Sequence, residues 1–128
     1  VITPNQHEAE SLTGIKVSDV KSAEKAALEL RKQGTPVAVV KLGEDGAYVA
    51  SSEYEGYFRP FKVTPVATVA AGDAFNAGLS VGITEGLGIR DAVWFAMASG
   101  AVCVSNQGAQ ESMGQRIDIE RLLATRED

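Results

Sequence analysis

Residues 66–79, VATVAAGDAFNAGL, set one acid, Asp73, behind three small residues, Ala70, Ala71 and Gly72, and ahead of a run with helical character. A helix N-terminus carries unpaired N–H groups and about half a positive charge, so it attracts anions. Side chains no larger than a methyl group let a ligand approach that backbone closely. If the amides of residues 70–72 hold a phosphate, the carboxylate of Asp73 is able to accept a proton from an attacking hydroxyl while the amides stabilise charge on the transferring group. The competing reading is structural. Gly-Asp ahead of a helix is a common cap, and an acid in the first turn stabilises a helix by about 0.3–1 kcal/mol. On spacing alone the cap is the readier explanation. The stretch is not a P-loop, because no Gly-Lys-Ser/Thr ending follows.

The other polar candidates divide in the same way. Asn5 is a good N-cap, and Glu8 falls three residues later at capping-box spacing. His7-Glu8 begins like a zinc-protease helix, but residue 11 is Ser and the second histidine is missing. With one histidine and one cysteine in the chain, a structural zinc site has too few ligands of the usual kind. His7 reads as an exposed helix residue and Cys103 as a buried, inert thiol. GEDG at 43–46 reads as a hairpin turn, FAMASGAVCV at 95–104 as close helix packing, and Trp94 and Phe95 as core or interface.

These residues need elements to hold them. Val1-Ile2-Thr3 reads as a short strand stopped by Pro4, with a helix from Asn5 to about Gly14. Residues 18–33 show the clearest amphipathic pattern, with Val20, Ala23, Ala27 and Leu30 on one face and Gly34 as the stop. PVAVVKL is a continuous apolar run, as in a strand buried on both faces, and AYVAS returns the chain to complete a hairpin over 37–51. GYFRPFKV, 56–63, is a further extended segment in which Pro60 marks an edge or a bend. Helices are expected over 72–84, 89–104 and 117–124. The order implies an α/β domain, a layered sheet flanked by helices.

Composition narrows the function classes. The 128 residues make one domain with a real core, and 45% hydrophobic with 23% charged residues fits a soluble globular protein. A net charge of −5 speaks against a nucleic-acid partner, which needs a basic face, and no polybasic run suggests a membrane surface. A single cysteine fits a reducing compartment, and without a signal peptide or transmembrane-length segment a cytoplasmic location is the default. The chain opens on Val1-Ile2-Thr3-Pro4-Asn5 without an initiator Met, like the tail of a strand begun upstream, and is expected to be a fragment.

Four segments in order and spacing carry a resemblance over essentially the whole chain. ATVAAGDAFNAGL resembles the C-terminal signature of the ribokinase-like (PfkB) carbohydrate kinases, D-T-x-(G/A)-A-G-D. TPNQHEAESLTG at 3–14 is similar to that family's T-P-N-x-x-E-A-E-x-L-T-G segment, VVKLGEDGAYV at 39–49 to its nucleotide-binding strand and turn, and NQGAQES at 106–112 to its closing loop. The resemblance implies the C-terminal portion of a ribokinase-like fold, and transfer of the γ-phosphate of Mg·ATP to a sugar hydroxyl, with ribose the leading acceptor. It makes Asp73 the catalytic base and the amides of Ala70, Ala71 and Gly72 the anion hole. Asn5 and Glu8 match the Asn-x-x-Glu motif that places Mg²⁺ and its waters. The turn from Lys41 through Gly43 to Gly46 would lie along ATP, and Met97 would line the adenine pocket. Gly108 and Ser112, with carbonyls near Val69, Cys103 and Asn106, match a loop that holds an activating K⁺.

Two departures qualify what the resemblance implies. The motif normally begins with Asp, a ligand of the monovalent cation, and this chain has Ala67, so K⁺ activation is expected to be reduced or absent. Family members are also about twice as long, and the glycine-rich sugar motif and the β-sheet lid of their N-terminal half are not found here. The fragment by itself is then expected to lack much of the acceptor positioning on which phosphoryl transfer depends. A non-catalytic nucleotide-binding or interaction module of the same fold, and a kinase for a nucleoside or vitamin precursor, remain open alternatives. Apolar surface left by the missing half would favour a homo-oligomer.

Overall fold

The apolar run at 37–41 is the spine of the first of two units, Val1–Pro60 and Phe61–Asp128. The protein is represented by a computed structural model that describes residues 1–61, 71–105 and 116–126. Strand β1 (Val37–Lys41) passes through a 3-10 turn, Gly43–Asp45, into β2 (Ala47–Ser51), and β3 (Glu55–Phe58) follows. The strands pair antiparallel in the order β1-β2-β3, with Val39 opposite Val49 and Tyr48 opposite Tyr57. The hairpin expected over 37–51 is therefore present. The segment expected over 56–63 starts one residue earlier and stops at Phe58, two residues before Pro60, which has no N–H to give a ladder; residues 62 and 63 lie outside the described residues.

The expected strand at the N-terminus is reduced to one parallel bridge, Ile2 to Ala38. Ile2 N–H donates to the Val37 carbonyl at 3.0 Å, Val39 N–H to the Ile2 carbonyl at 2.9 Å, and Lys41 N–H to the Pro4 carbonyl at 2.9 Å. Pro4 then releases the chain into α1 (Gln6–Thr13), which is capped by Asn5 and ends at Gly14. Helix α2 (Val20–Lys32) turns Ala23, Ala26, Ala27 and Leu30 into a core shared with Ala38 and Val40 of β1 and Tyr48 and Ala50 of β2. Alternation along the strands puts Val39 and Val49 on the other face, where they too are buried. Each large side chain buried in this way stabilises the fold by about 1.5–3 kcal/mol relative to exposure.

Two polar groups show how this core is trimmed. Asp19 caps α2, its Oδ1 accepting from the Ser22 N–H at 2.8 Å and from the Ser22 hydroxyl at 2.7 Å. Those bonds to Ser22 hold its carboxyl below the ordinary 3.8. Tyr48 donates its hydroxyl to Glu24 Oε2 at 3.2 Å. Burial first, and then the charge of Glu24, push its phenol up to about 12.

The second unit is helical among the described residues: α3 (Ala71–Thr84), α4 (Ile89–Ser105) and α5 (Arg116–Leu123), each within one residue of expectation. Helices α3 and α4 run antiparallel in close contact because small residues face each other. A Cβ on Gly78 would lie 2.8 Å from Ser99 Cβ and 3.1 Å from Ala96 Cα, and one on Gly82 would lie 3.0 Å from Ala92 Cα. Ser99 satisfies its hydroxyl within α4, donating to the Phe95 carbonyl at 2.9 Å. Helix α5 seats Ile119 against Phe95, Ala98 and Val102, and Phe61 meets Trp94 edge to face at 5.6 Å. Helices on a sheet followed by a helical unit make the chain α/β, as expected. No helix among the described residues is long and apolar enough to cross a membrane.

Candidate functional site

The parallel bridge decides where the first group of candidates meets. Ile2–Pro4 and β1 point the same way, so the start of α1 and the turn after β1 leave from the same end of the sheet. Ligands of open α/β sheets bind outside the carboxyl ends of such strands. Asn5, Glu8, Lys41, Gly43 and Gly46 are thereby gathered at one end, and the 2.9 Å bond from Lys41 N–H to the Pro4 carbonyl ties the cap of α1 to the end of β1.

Asn5 and Glu8 form a full capping box. Asn5 Oδ1 accepts from the Glu8 N–H and Glu8 Oε1 accepts from the Asn5 N–H, each at 2.9 Å. Both residues are exposed, and Glu8 Oε2 has no partner among the described residues. The structural and functional readings of this pair are therefore compatible, since one carboxylate oxygen caps and the other faces solvent. Among the described residues no group of three or more His, Cys, Asp or Glu is placed to hold a metal ion. A single outward carboxylate still suits Mg²⁺, which keeps most of its waters and takes one or two carboxylates together with substrate phosphates.

The turn after β1 closes on itself through Leu42 N–H to the Gly46 carbonyl at 2.8 Å, Asp45 N–H to Leu42 at 3.1 Å and Gly46 N–H to Gly43 at 3.4 Å. The N–H groups of Gly43 and Glu44 have no backbone partner among the described residues. Gly46 has φ 97°, and a Cβ there would run into the Phe58 carbonyl oxygen, so only glycine fits.

The second group lies in the helical unit. Ala71, Gly72 and Asp73 are the first residues of α3, and Gly72 and Asp73 are exposed. The pairing of Gly78 with Ser99 and of Gly82 with Ala92 brings the backbone of Cys103 level with Asp73. Met97, half-buried, sits six residues earlier on α4, about 9 Å away along the axis. Trp94 and Phe95 are buried in the core, and His7 is exposed. Ala67, Val69, Ala70, Asn106, Gly108 and Ser112 lie outside the described residues.

Sequence reasoning missed Tyr57. Its hydroxyl donates to the Asp45 carbonyl of the turn at 2.5 Å. The contact depends on β3 pairing with β2 in register, and no local motif signals it.

Residues 1–116 match the pfkB family of carbohydrate kinases. The chain belongs to that family. It is 37% identical over 123 residues to a ribokinase of Haemophilus influenzae, covering 96% of this chain and 40% of the relative. A 1-phosphofructokinase of Escherichia coli is 32% identical over 127 residues, covering 94% of this chain and 41% of the relative. Among solved structures, a Thermotoga maritima ribokinase superposes with a TM-score of 0.82 at 35% identity, covering 96% of this chain and 41% of the other. An Arabidopsis thaliana ribokinase complexed with ribose and ATP gives 0.84 at 30% identity, covering 94% and 39%. The fold of this pfkB chain is thus ribokinase-like, and the chain spans about two-fifths of the length of the relatives it matches.

Proposed function

We propose that residues 1–128 are the C-terminal, nucleotide-binding and phosphoryl-transfer part of an ATP-dependent sugar kinase that works in the cytoplasm, with ribose the first acceptor to try. The observation that carries this reading is Asp73, exposed in the first turn of α3 directly behind Ala71 and Gly72, within a chain of the pfkB family. In this mechanism the amides of residues 70–72 receive the transferring phosphoryl group. The acceptor hydroxyl attacks the γ-phosphorus, its proton passes to the carboxylate of Asp73, and the bond to the β-phosphate oxygen breaks to release ADP. Glu8, steadied by Asn5, would help to hold Mg²⁺. When bound, that ion neutralises charge on the phosphates. Lys41 and the turn from Gly43 to Gly46 run along the nucleotide, and Met97 lines the adenine side.

For the monovalent cation, the carbonyls of Val69, Cys103 and Asn106, with Gly108 and Ser112, are the proposed ligands. A ligand shell with Ala67 in place of an acid lacks one charged oxygen, so K⁺ should matter less here. That same substitution favours the second reading, a nucleotide-binding module without turnover. ADP release by the complete gene product, supplied with Mg·ATP and either ribose, a fructose phosphate or 2-dehydro-3-deoxygluconate, separates the two. Acceptor-dependent ADP formation is the expected result. Tight nucleotide binding with no turnover on these sugars, nor on a nucleoside or vitamin-precursor acceptor, would establish the binding module instead.

A further inference from the structure

The turn at 43–46 carries two amides, those of Gly43 and Glu44, without a backbone partner among the described residues, and one of its three internal bonds, from Gly46 N–H to the Gly43 carbonyl, is long at 3.4 Å. Strand β3, last in the sheet among the described residues, braces the turn from outside. Tyr57, paired opposite Tyr48, reaches along the sheet and donates its hydroxyl to the Asp45 carbonyl at 2.5 Å. Its ring lies against Gly46, where an added Cβ would stand 3.2 Å from Tyr57 Cε1. The Phe58 carbonyl closes the same side of Gly46. One tyrosine thus grips two consecutive residues of the turn, one by hydrogen bond and one by contact, while at Gly43 an added Cβ would meet nothing within 4 Å.

We infer that Tyr57 is a positioning residue for nucleotide binding: it holds the 43–46 turn in the conformation that presents the Gly43 and Glu44 amides to the ligand. This inference rests on the proposal that the turn lies along ATP. Tyr57 acts through the turn and is not itself a catalytic residue. Its loss should weaken the nucleotide without touching the chemical step or the acceptor.

The test is Tyr57→Phe in the complete gene product, titrated with a non-hydrolysable Mg·ATP analogue and assayed for kcat and for the KM of ATP and of sugar. Loss of one neutral hydrogen bond should weaken the analogue and raise the ATP KM by about threefold to tenfold. The sugar KM, kcat and the urea midpoint should stay near the parent's. Tyr54→Phe is the control: Tyr54 packs edge to face on Phe58 at 5.6 Å, and its variant should bind the analogue as the parent does. Analogue affinity unchanged in Tyr57→Phe, with a parent that binds, would overturn the positioning role and leave the proposed function standing. An equal loss in the Tyr54→Phe control, or a general fall in kcat and in both KM terms with a lowered midpoint, would also overturn it. A parent that does not bind the analogue would overturn the functional reading and this inference together.

Discussion

Glu8 is the residue at which stability and function have to be separated. Its Oε1 completes the capping box with Asn5, so a plain deletion of the side chain confuses two roles. Glu8→Gln keeps an oxygen that can accept from the Asn5 N–H and removes the charge. It should leave the melting temperature nearly unchanged while lowering Mg²⁺-dependent turnover at least tenfold; activity equal to the parent at limiting Mg²⁺ would confine Glu8 to capping. Asn5→Ala removes the cap acceptor and should cost about 1 kcal/mol in a urea melt. Asp19 gives a pH test of the other cap. Hydrogen bonds from Ser22 depress its folded value below 3.8, so the stability it contributes is complete above the unfolded value and is lost as pH falls through the folded one. The stability advantage of the parent over Asp19→Asn should accordingly hold steady down to about pH 5 and shrink as pH falls through the carboxylate range below it. A difference that stays constant through that fall would mean that Asp19 is no better solvated by Ser22 than by water. Both capping boxes are local, four-residue patterns. Asn5 with Glu8 was legible from spacing alone. Asp19 with Ser22 was hidden because Ser stands where Glu or Gln is usual.

At the scale of elements, the small residues of α3 and α4 fix how close the two helices come. Gly78→Ala gains about 1 kcal/mol of helix propensity, but the new methyl meets Ser99 and the Ala96 backbone. Overpacking of this kind costs about 1–3 kcal/mol. The net expectation is a lower urea midpoint, and a midpoint raised by Gly78→Ala would show that the helices part without cost. Helix positions in this half were readable to within a residue because period and Gly-containing turns are local signals. What the sequence could not show was pairing across distance. The parallel bridge from Ile2 to Ala38 and the reach of Tyr57 to Asp45 depend on strand register, and register is set by the packed sheet. Yet these two contacts bring Asn5 to Lys41 and steady the turn. The capping pair Asn5 and Glu8 and the turn at 43–46 were legible as local patterns; the reason they share one end of the sheet was not.

For the molecule as a whole, the family match over residues 1–116 and a span of two-fifths of the relatives' length make phosphoryl transfer a property to test in the complete gene product. Ala67→Asp restores the acid of the family motif and should raise K⁺ stimulation of turnover at least severalfold. Equal rates with and without K⁺ in that variant would remove Val69, Cys103, Asn106, Gly108 and Ser112 as cation ligands. The central claim is that Asp73 takes the acceptor's proton, and the most direct measurement is Asp73→Asn with kcat and Mg·ATP-analogue affinity determined side by side. A positioned general base contributes about a hundredfold to ten-thousandfold, so kcat should fall by that much while nucleotide affinity stays near the parent's. Turnover at the parental rate in Asp73→Asn would contradict the account and leave Asp73 as a first-turn acid of α3.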